Sequence, residues 1–358
     1  MTVPRIAIVH RSSLPSLGGV EIHIDRLAAA LVGLGYKPVV ITRQVALDSA
    51  ASRTQYRYAV PIWSLPRVLK REAPTLVHAH AARSLYALVA LAVARWMRIP
   101  ALFTPHCFYP SRSGIRRVLK WFFDQSLGCI TFRLATRVIA LTEVDYADAL
   151  RLGCPSHKLV LVPNAIDTEM LDTTVPVTPR YPLPFLLFVG RVDRIKRLPD
   201  LVEALARLPE TNLNLLVVGI DAGGRHAAEK RATELGVTSR MHFIGNISLG
   251  ELVGLYRAAA GLVLPSAKEG LPTCVLEAMY LGCPVIASGA GGTQTVIRSG
   301  VNGLLYTSGD ICGLVEAIRR LMSSPHRSMC EEARRTVLAH YTWSRTARQI
   351  ASLVQQLD

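Results

Sequence analysis

Several things are scarce in this sequence, and each scarcity removes a class of protein. The seven cysteines, at 107, 129, 154, 274, 283, 312 and 330, are scattered, odd in number and without a C-x-x-C pair. Reduced, mostly buried thiols are therefore expected, not a disulfide framework or a cysteine metal site. The longest apolar segment, Leu85 to Ala94, falls well short of the ~20 residues a membrane-spanning helix needs. No leader segment is evident, because the apolar run after Arg5 is about one strand long and ends at His10-Arg11. A cytoplasmic protein, soluble or peripheral on the cytoplasmic face of a membrane, is expected. Zinc-finger spacing, a recognition-helix pattern and aromatic-interleaved basic repeats are all missing, so no nucleic-acid partner is expected. Tandem repeats and low-complexity tracts are missing too.

Acidic residues are the minority charge: 26 Asp and Glu face 41 Lys and Arg, a net +15, of which +10 falls in residues 1–178. Such an excess points to anionic ligands, among them phosphorylated molecules and anionic membrane surfaces. Half of the 358 residues are apolar. A folded chain with sizeable cores follows, and its length favours two domains over one.

Strand and helix signals alternate along the whole chain. Arg5 to His10 is a continuous β-type run; after a loop, Val20 to Gly33 carries apolar residues at helical spacing (Ile24, Leu27, Ala28, Leu31). Further strands are predicted at Pro38 to Thr42, Leu76 to His80, Ala101 to Thr104, Val138 to Leu141 and Leu159 to Val162, with helices at Ser84 to Met97 and Glu143 to Leu152. The proline-rich stretch 173–184 reads as an extended linker. After it come strands at Phe185 to Val189, Leu215 to Gly219, Met241 to Ile244, Gly261 to Leu264, Pro284 to Ala287 and Gly303 to Tyr306. Residues 343–358 read as a helix that packs on either domain. The alternation predicts an α/β chain of two doubly wound, Rossmann-like domains, 1–172 and 185–342, each a parallel sheet covered on both faces.

Several stretches carry candidate chemistry. Gly18-Gly19 lets backbone approach a ligand at a helix start, or simply makes a turn. His78-Ala-His80 has two histidines on one face of a strand end, but no Asp, Glu or Cys accompanies them, so hydrogen-bonded structural histidines are expected and no metal. His106 directly follows a strand, where ligands of open α/β sheets collect, and is either a site residue or a core histidine. In 112–137, Arg112, Arg116, Arg117 and Lys120 alternate with Ile115, Leu119, Trp121 and Phe122. That composition suits an interfacial helix on an anionic membrane, or a surface helix whose apolar side faces the core. Arg191 and Lys196 follow the first strand of the second domain. Further on, Glu269-Gly270-Leu271-Pro272-Thr273 leads from a strand into a helix bearing Glu277, with Pro272 in its first turn and Leu271 a poor cap. An uncapped helix start near two cations is suited to phosphate. Glu269 and Glu277 are alternatively a solvated loop residue and an exposed helix position.

In order, Gly18-Gly19-Val-Glu, Val162-Pro-Asn-Ala-Ile-Asp167, Phe188-Val-Gly-Arg191 with Lys196, the Glu269-to-Glu277 run, Gly282-Cys-Pro-Val-Ile-Ala and Gly291-Gly292 resemble the motifs of the family 4 retaining glycosyltransferases, over nearly the whole chain. The Glu269/Glu277 spacing is similar to that family's E-x7-E motif. The chain departs from the pattern at Ala165, Pro272 and Arg197, where glycine is frequent, and at Gln294, often Glu.

The resemblance implies the GT-B fold, two Rossmann-like domains facing across a cleft, and transfer of a sugar from a nucleotide-diphosphate donor to a hydroxyl; the basic first half with its interfacial segment favours a lipid-linked or envelope glycan as acceptor. It implies that Arg191 and Lys196 hold the diphosphate with the helix start at Gly270, Leu271, Pro272 and Thr273. Glu277 would take the ribose and Glu269 the sugar. Gly18 and Gly19 would approach the diphosphate from the first domain, where His106 would face the sugar. The chain has no D-x-D, the pattern of metal-dependent transferases, so no metal and no cofactor are expected. A nucleotide-sugar epimerase or hydrolase would instead turn over donor without acceptor, and a non-catalytic sugar-nucleotide binding protein would bind donor without turnover.

Overall fold

The computed structural model describes residues 3–12, 19–44, 57–106, 124–209, 212–323 and 326–357. Gly18, Cys107 and residues 112–123 of the basic aromatic segment lie outside these. The chain divides into two compact units: Met1–Ala165 with Trp343–Asp358, and Ile166–Thr342.

The first unit holds a seven-stranded parallel sheet. Its strands are β1 (Arg5–Ser12), β2 (Lys37–Gln44), β3 (Arg57–Ala59), β4 (Leu76–His80), β5 (Ala101–Thr104), β6 (Arg137–Ala140) and β7 (Leu159–Leu161). They lie in the order β3-β2-β1-β4-β5-β6-β7. Alternate residues of β1 enter different cores, Ala7 and Val9 on one face and Ile6 and Ile8 on the other. Burial on both faces is why the strand reads as unbroken apolar sequence. The expected limits of β4 and β5 coincide with those observed; β1 and β2 run further than expected. Neither β3 nor the helix Leu65–Glu72 was anticipated. The strand is only three residues long, but the helix has Pro66 in its first turn and buries Leu65, Val68 and Leu69 at helical spacing, a signal legible in the sequence.

Helix Trp343–Gln355 closes the first unit. It buries Trp343, Ala347, Ile350 and Val354, one stripe at helical spacing, in the same core as Ile24, Leu27 and Leu31 of the helix Gly19–Gly33. Burying each large side chain is worth roughly 1.5–3 kcal/mol, and Thr346 Oγ1 adds a hydrogen bond to Pro163 O at 3.1 Å.

The second unit's strands are β8 (Phe185–Val189), β9 (Asn214–Val218), β10 (Met241–Gly245), β11 (Gly261–Leu264), β12 (Val285–Ser288) and β13 (Leu304–Tyr306). All are parallel, in the order β10-β9-β8-β11-β12-β13. Residues 166–172, expected with the first domain, pack in this unit. Ile166 N–H bonds Tyr341 O at 3.0 Å, and Leu171 lies in its core. The stretch 173–184 is more than a tether, because Val177 N–H donates to Gly250 O at 3.0 Å. The helix Leu249–Ala258 admits it through Gly254, where a Cβ would stand 1.9 Å from Val177 O.

Both sheets reverse their direction of winding once, between β1 and β4 and between β8 and β11. At such a switch point the loops leaving two neighbouring strands diverge, and a crevice opens beyond their carboxyl ends. In the first unit His80 ends β4, and His10 lies two residues before the end of β1. In the second the loops are those that begin at Gly190 and Pro265.

Candidate active site

In the second unit, two loops that start far apart in sequence are joined by one ion pair. β8 runs into Gly190 and Arg191; Asp193 then accepts the N–H groups of Ile195 and Lys196 at 2.9 and 3.2 Å and so starts the single turn Arg194–Lys196. A short side-chain cap of this kind is what Asp supplies well. Lys196 Nζ reaches across the switch point to Glu269 Oε1 at 2.6 Å, with both side chains largely withdrawn from solvent. Ala267 N–H, bonded to Ile195 O at 2.7 Å, ties the same two loops through backbone. Burial lowers the Lys196 pKa, but the charge and hydrogen bond of Glu269, with Cys274 and Asp193, outweigh it, and the net direction is upward. The ammonium is therefore fully charged at neutral pH.

Glu269 is fixed from a third side. Its N–H donates to Ala290 O and its carbonyl accepts Gly292 N–H, each at 3.1 Å. Gly291, between them, has φ +75° and a would-be Cβ only 2.1 Å from Glu269 O. Positive φ and close backbone approach both require glycine there. Gly291-Gly292 thus acts as the clasp that holds Glu269.

The helix behind this loop is Thr273–Tyr280. Pro272 was expected inside its first turn, but it is the residue before the helix, with ψ 117°, because its extended backbone carries the chain from the loop into the turn. No side chain caps the helix start, so its positive end is available to an anion. Leu271 is buried in the core and anchors the loop. Glu277, half-buried and not exposed, accepts Tyr256 OH at Oε2, 3.0 Å. Tyr256 lies on the preceding helix, and nothing in its spacing marked it as a site residue. Burial first, and then Glu277, raise its pKa well above the ordinary value, so it remains a donor. Arg191 is mostly exposed, hydrogen-bonded through Nε to Asp193 at 3.1 Å. Arg197 adopts φ +51°, the left-handed conformation that explains why glycine suits this position, and its Nε is held by Asp200 Oδ2 at 2.6 Å. Gln294 is exposed.

The first unit offers a different site. Gly19 begins the helix Gly19–Gly33, and among the described residues a Cβ there would meet nothing within 4 Å. At the ends of β4 and β5 the histidines gather. His78 Nε2 lies 2.8 Å from Thr104 Oγ1, and His80 Nδ1 lies 3.0 Å from His106 Nε2. His23, from the helix, is edge-on to His106 and hydrogen-bonded to Asn164 at 2.9 Å. His106 has φ +67°, a conformation uncommon outside glycine. The two histidines expected to be structural are hydrogen-bonded, but His23 and Asn164 were not foreseen as their neighbours. Burial pushes every imidazole of this group down, His23 to about 4 and His78 to about 3, with His80 and His106 well below 6.5. At neutral pH the group is an uncharged hydrogen-bonding network.

Of the basic aromatic segment, 124–137 is described. Its helix Cys129–Leu134 turns Phe132 into the core and leaves Arg133 exposed. Arg83 closes a two-pronged fork on Asp124 at the start of this part, both contacts 2.7 Å. Among the described residues, no helix is long and apolar enough to cross a membrane.

Two family models match the chain: glycosyltransferase family 4 over residues 17–170, and glycosyl transferases group 1 over 179–337. A D-inositol 3-phosphate glycosyltransferase of Frankia alni is 28% identical, the match covering 93% of each chain. A 2-deoxystreptamine glucosyltransferase of Streptomyces kanamyceticus is 27% identical over 74% of this chain and 72% of its own. Among solved structures, the Anabaena protein HepE in complex with UDP and glucose superposes with a TM-score of 0.81 at 19% identity, over 99% of this chain and all of that one. At that identity the likeness carries the GT-B fold alone.

Proposed function

Since the chain belongs to the family 4 glycosyltransferases and transfers sugar from a nucleotide-sugar donor, we propose a division of labour among its site residues. The single observation that carries the proposal is the Lys196–Glu269 pair across the second switch point, beside an uncapped helix. Lys196 and Arg191 bind the donor diphosphate as charged donors, and the N–H groups at Gly270 to Thr273 add the helix's positive end. Glu277, steadied by Tyr256, accepts ribose hydroxyls. Glu269 faces the sugar and aligns Lys196. In the first unit Gly19 leaves room for the diphosphate, and neutral His106 hydrogen-bonds the sugar.

The reaction we propose retains anomeric configuration. The bond from the sugar's anomeric carbon to the diphosphate oxygen breaks; the acceptor hydroxyl attacks from the same face and passes its proton to the departing phosphate oxygen. Lys196, Arg191 and the helix start stabilise the negative charge that develops there, in a role filled by a cation in metal-dependent transferases. The donor brings the transferred group, so no cofactor takes part. UDP-sugars are the first donors to try, because the structural neighbour holds UDP and glucose. The net positive charge of residues 1–178 favours an acceptor that carries phosphate, in a soluble polyol or on a lipid-linked glycan. Residues 112–137 would then bring the enzyme to an anionic membrane on its cytoplasmic face.

Arg191→Ala tests the phosphate assignment. Loss of one charge-assisted hydrogen-bonding partner is expected to weaken binding of nucleoside diphosphate by about 1.5–3 kcal/mol, read by calorimetric titration of UDP, GDP and ADP. Unchanged affinity would remove Arg191 from the site. Turnover of donor without acceptor, faster than transfer, would favour a hydrolase.

A further inference from the structure

A helix that covers a sheet ordinarily buries one apolar stripe and shows water a polar one. The helix Leu85–Trp96 of the first unit does not follow that rule. Tyr86, Ala87, Ala90, Leu91, Val93 and Ala94 enter the core beneath it. The opposite stripe, Leu85, Leu88, Val89, Ala92 and Trp96, repeats the helical spacing and is apolar as well. Leu85 is 57% exposed and Trp96 76%, so water meets side chains that elsewhere would be covered.

Beside it packs the helix Leu65–Glu72, which buries Leu65, Val68 and Leu69 in the same core. The two helices lead into β4 and β5, parallel neighbours in the sheet, so they run the same way and turn their outer sides to one face of the unit. On that face the shorter helix shows Arg67, Lys70 and Arg71, preceded one turn earlier by Trp63, 79% exposed. Arg95 and Arg98 are exposed at the end of the longer one. We propose that this face, an apolar strip bordered by cations and two tryptophans, seats the first unit on an anionic lipid bilayer. The partner is the one named above for residues 112–137, but the argument uses none of those residues.

Charge identifies the occupant. Residues 61–100 hold six cations and a single acid, Glu72. That carboxylate is buried, accepts Tyr58 OH at 2.7 Å and is paired with Arg5 and Arg71, so it does not offset the field of the face. Arg67, Lys70, Arg95 and Arg98 have no carboxylate partner among the described residues. A second copy of the chain, joined about a two-fold axis, would set these cations against their own equivalents, and like charges brought together oppose such a contact. Anionic headgroups accept the same cations, while the apolar strip enters the boundary with the acyl chains. Arginine and lysine stems are long enough to keep their charges at the headgroups as the strip goes in. Tryptophan, an apolar ring with one N–H donor, favours that interfacial level.

Co-sedimentation with phosphatidylcholine vesicles, with and without phosphatidylglycerol, tests the face. Binding is expected to the anionic vesicles, to weaken as salt is raised, and to be far lower on phosphatidylcholine alone. Each cation removed from an anionic surface lowers binding about fivefold, so Arg67→Gln/Lys70→Gln/Arg95→Gln should lose roughly 100-fold. Trp63→Ala/Trp96→Ala, with every charge kept, should lose at least fivefold. All five side chains are exposed, and circular dichroism checks that each variant folds. Arg116→Gln/Arg117→Gln/Lys120→Gln is the separate arm for the other segment: loss there, with undiminished binding by the folded variants of the two helices, would overturn this face and leave residues 112–137 as the membrane contact. Failure of the wild type to bind anionic vesicles would overturn both membrane contacts and leave sugar transfer untouched. A dimer in sedimentation velocity that Trp96→Ala dissolves would overturn the bilayer in favour of a second copy.

Discussion

Glu269→Gln separates the electrostatic role of the buried pair from its shape. The substitution keeps an oxygen near Lys196 Nζ but removes the charge, and it strands an ammonium whose side chain is only 17% exposed. Taking one partner from a buried ion pair costs about 3–5 kcal/mol when the remaining charge has no escape. Here the glutamine oxygen retains a hydrogen bond and the small exposure lets water reach Nζ, so about 2–3 kcal/mol is expected. For a unit of this size, each kcal/mol moves Tm by about 2–4 °C, and the loss is readable by calorimetry or by chemical denaturation.

Proton linkage gives this prediction a second, independent signature. In the wild type the folded-state pKa of Lys196 is raised above 10.5, so its contribution is complete below 10.5 and is lost only as pH rises through the higher value. In Glu269→Gln burial prevails and the folded-state pKa lies below 10.5. The unfolded mutant then binds more protons than the folded one, and mutant stability rises as pH climbs towards 10.5. The gap between wild type and mutant should therefore narrow from pH 7 to pH 10. A double-mutant cycle with Lys196→Met should return a coupling of about 2 kcal/mol. Coupling below about 0.5 kcal/mol, or a gap independent of pH, would refute the buried-pair reasoning.

The histidine network predicts acid sensitivity in the first unit. Burial holds His23 near 4 and His78 near 3, against 6.5 when unfolded, so their contribution is complete above 6.5 and is lost as pH falls. At pH 5.5 each should cost about 1 kcal/mol; calorimetry at pH 7.5 and 5.5 checks this, and a Tm unchanged between them would mean that these rings are not buried neutral. Gly291→Ala forces a Cβ to 2.1 Å from Glu269 O at φ +75°. We expect a loss of about 2–4 kcal/mol in stability from backbone strain and displacement, together with weaker nucleoside diphosphate binding. A folded, fully binding Gly291→Ala would show that the clasp is not needed.

Both sheets were legible because parallel strands buried on two faces leave unbroken apolar runs, and β4, β5, β8 and β11 have the expected limits. Short edge elements such as β3 escaped because three residues carry no periodicity. In the second unit, Lys196 and Glu269 lie 73 residues apart, yet each sits on its own recognisable motif at a strand end, so both could be named before their contact was known. Tyr256 could not, since its role is defined only by the Glu277 that reaches it from another helix.

The histidines show where such reading stops. His78-Ala-His80 was expected to hold hydrogen-bonded structural histidines, and both are hydrogen-bonded, but the sequence around them does not announce their neighbours. In the fold the partners of His80 come instead from the helix after β1 and the loop after β5. What brings them together is the strand order, which sets β1 next to β4 and β4 next to β5. That order is a property of how the crossover helices pack, and no single segment encodes it. A switch point therefore gathers side chains that local motifs cannot announce: in the second unit a motif marks each of the two loops that meet through Lys196 and Glu269, whereas only adjacency in the sheet defines the first unit's histidine cluster.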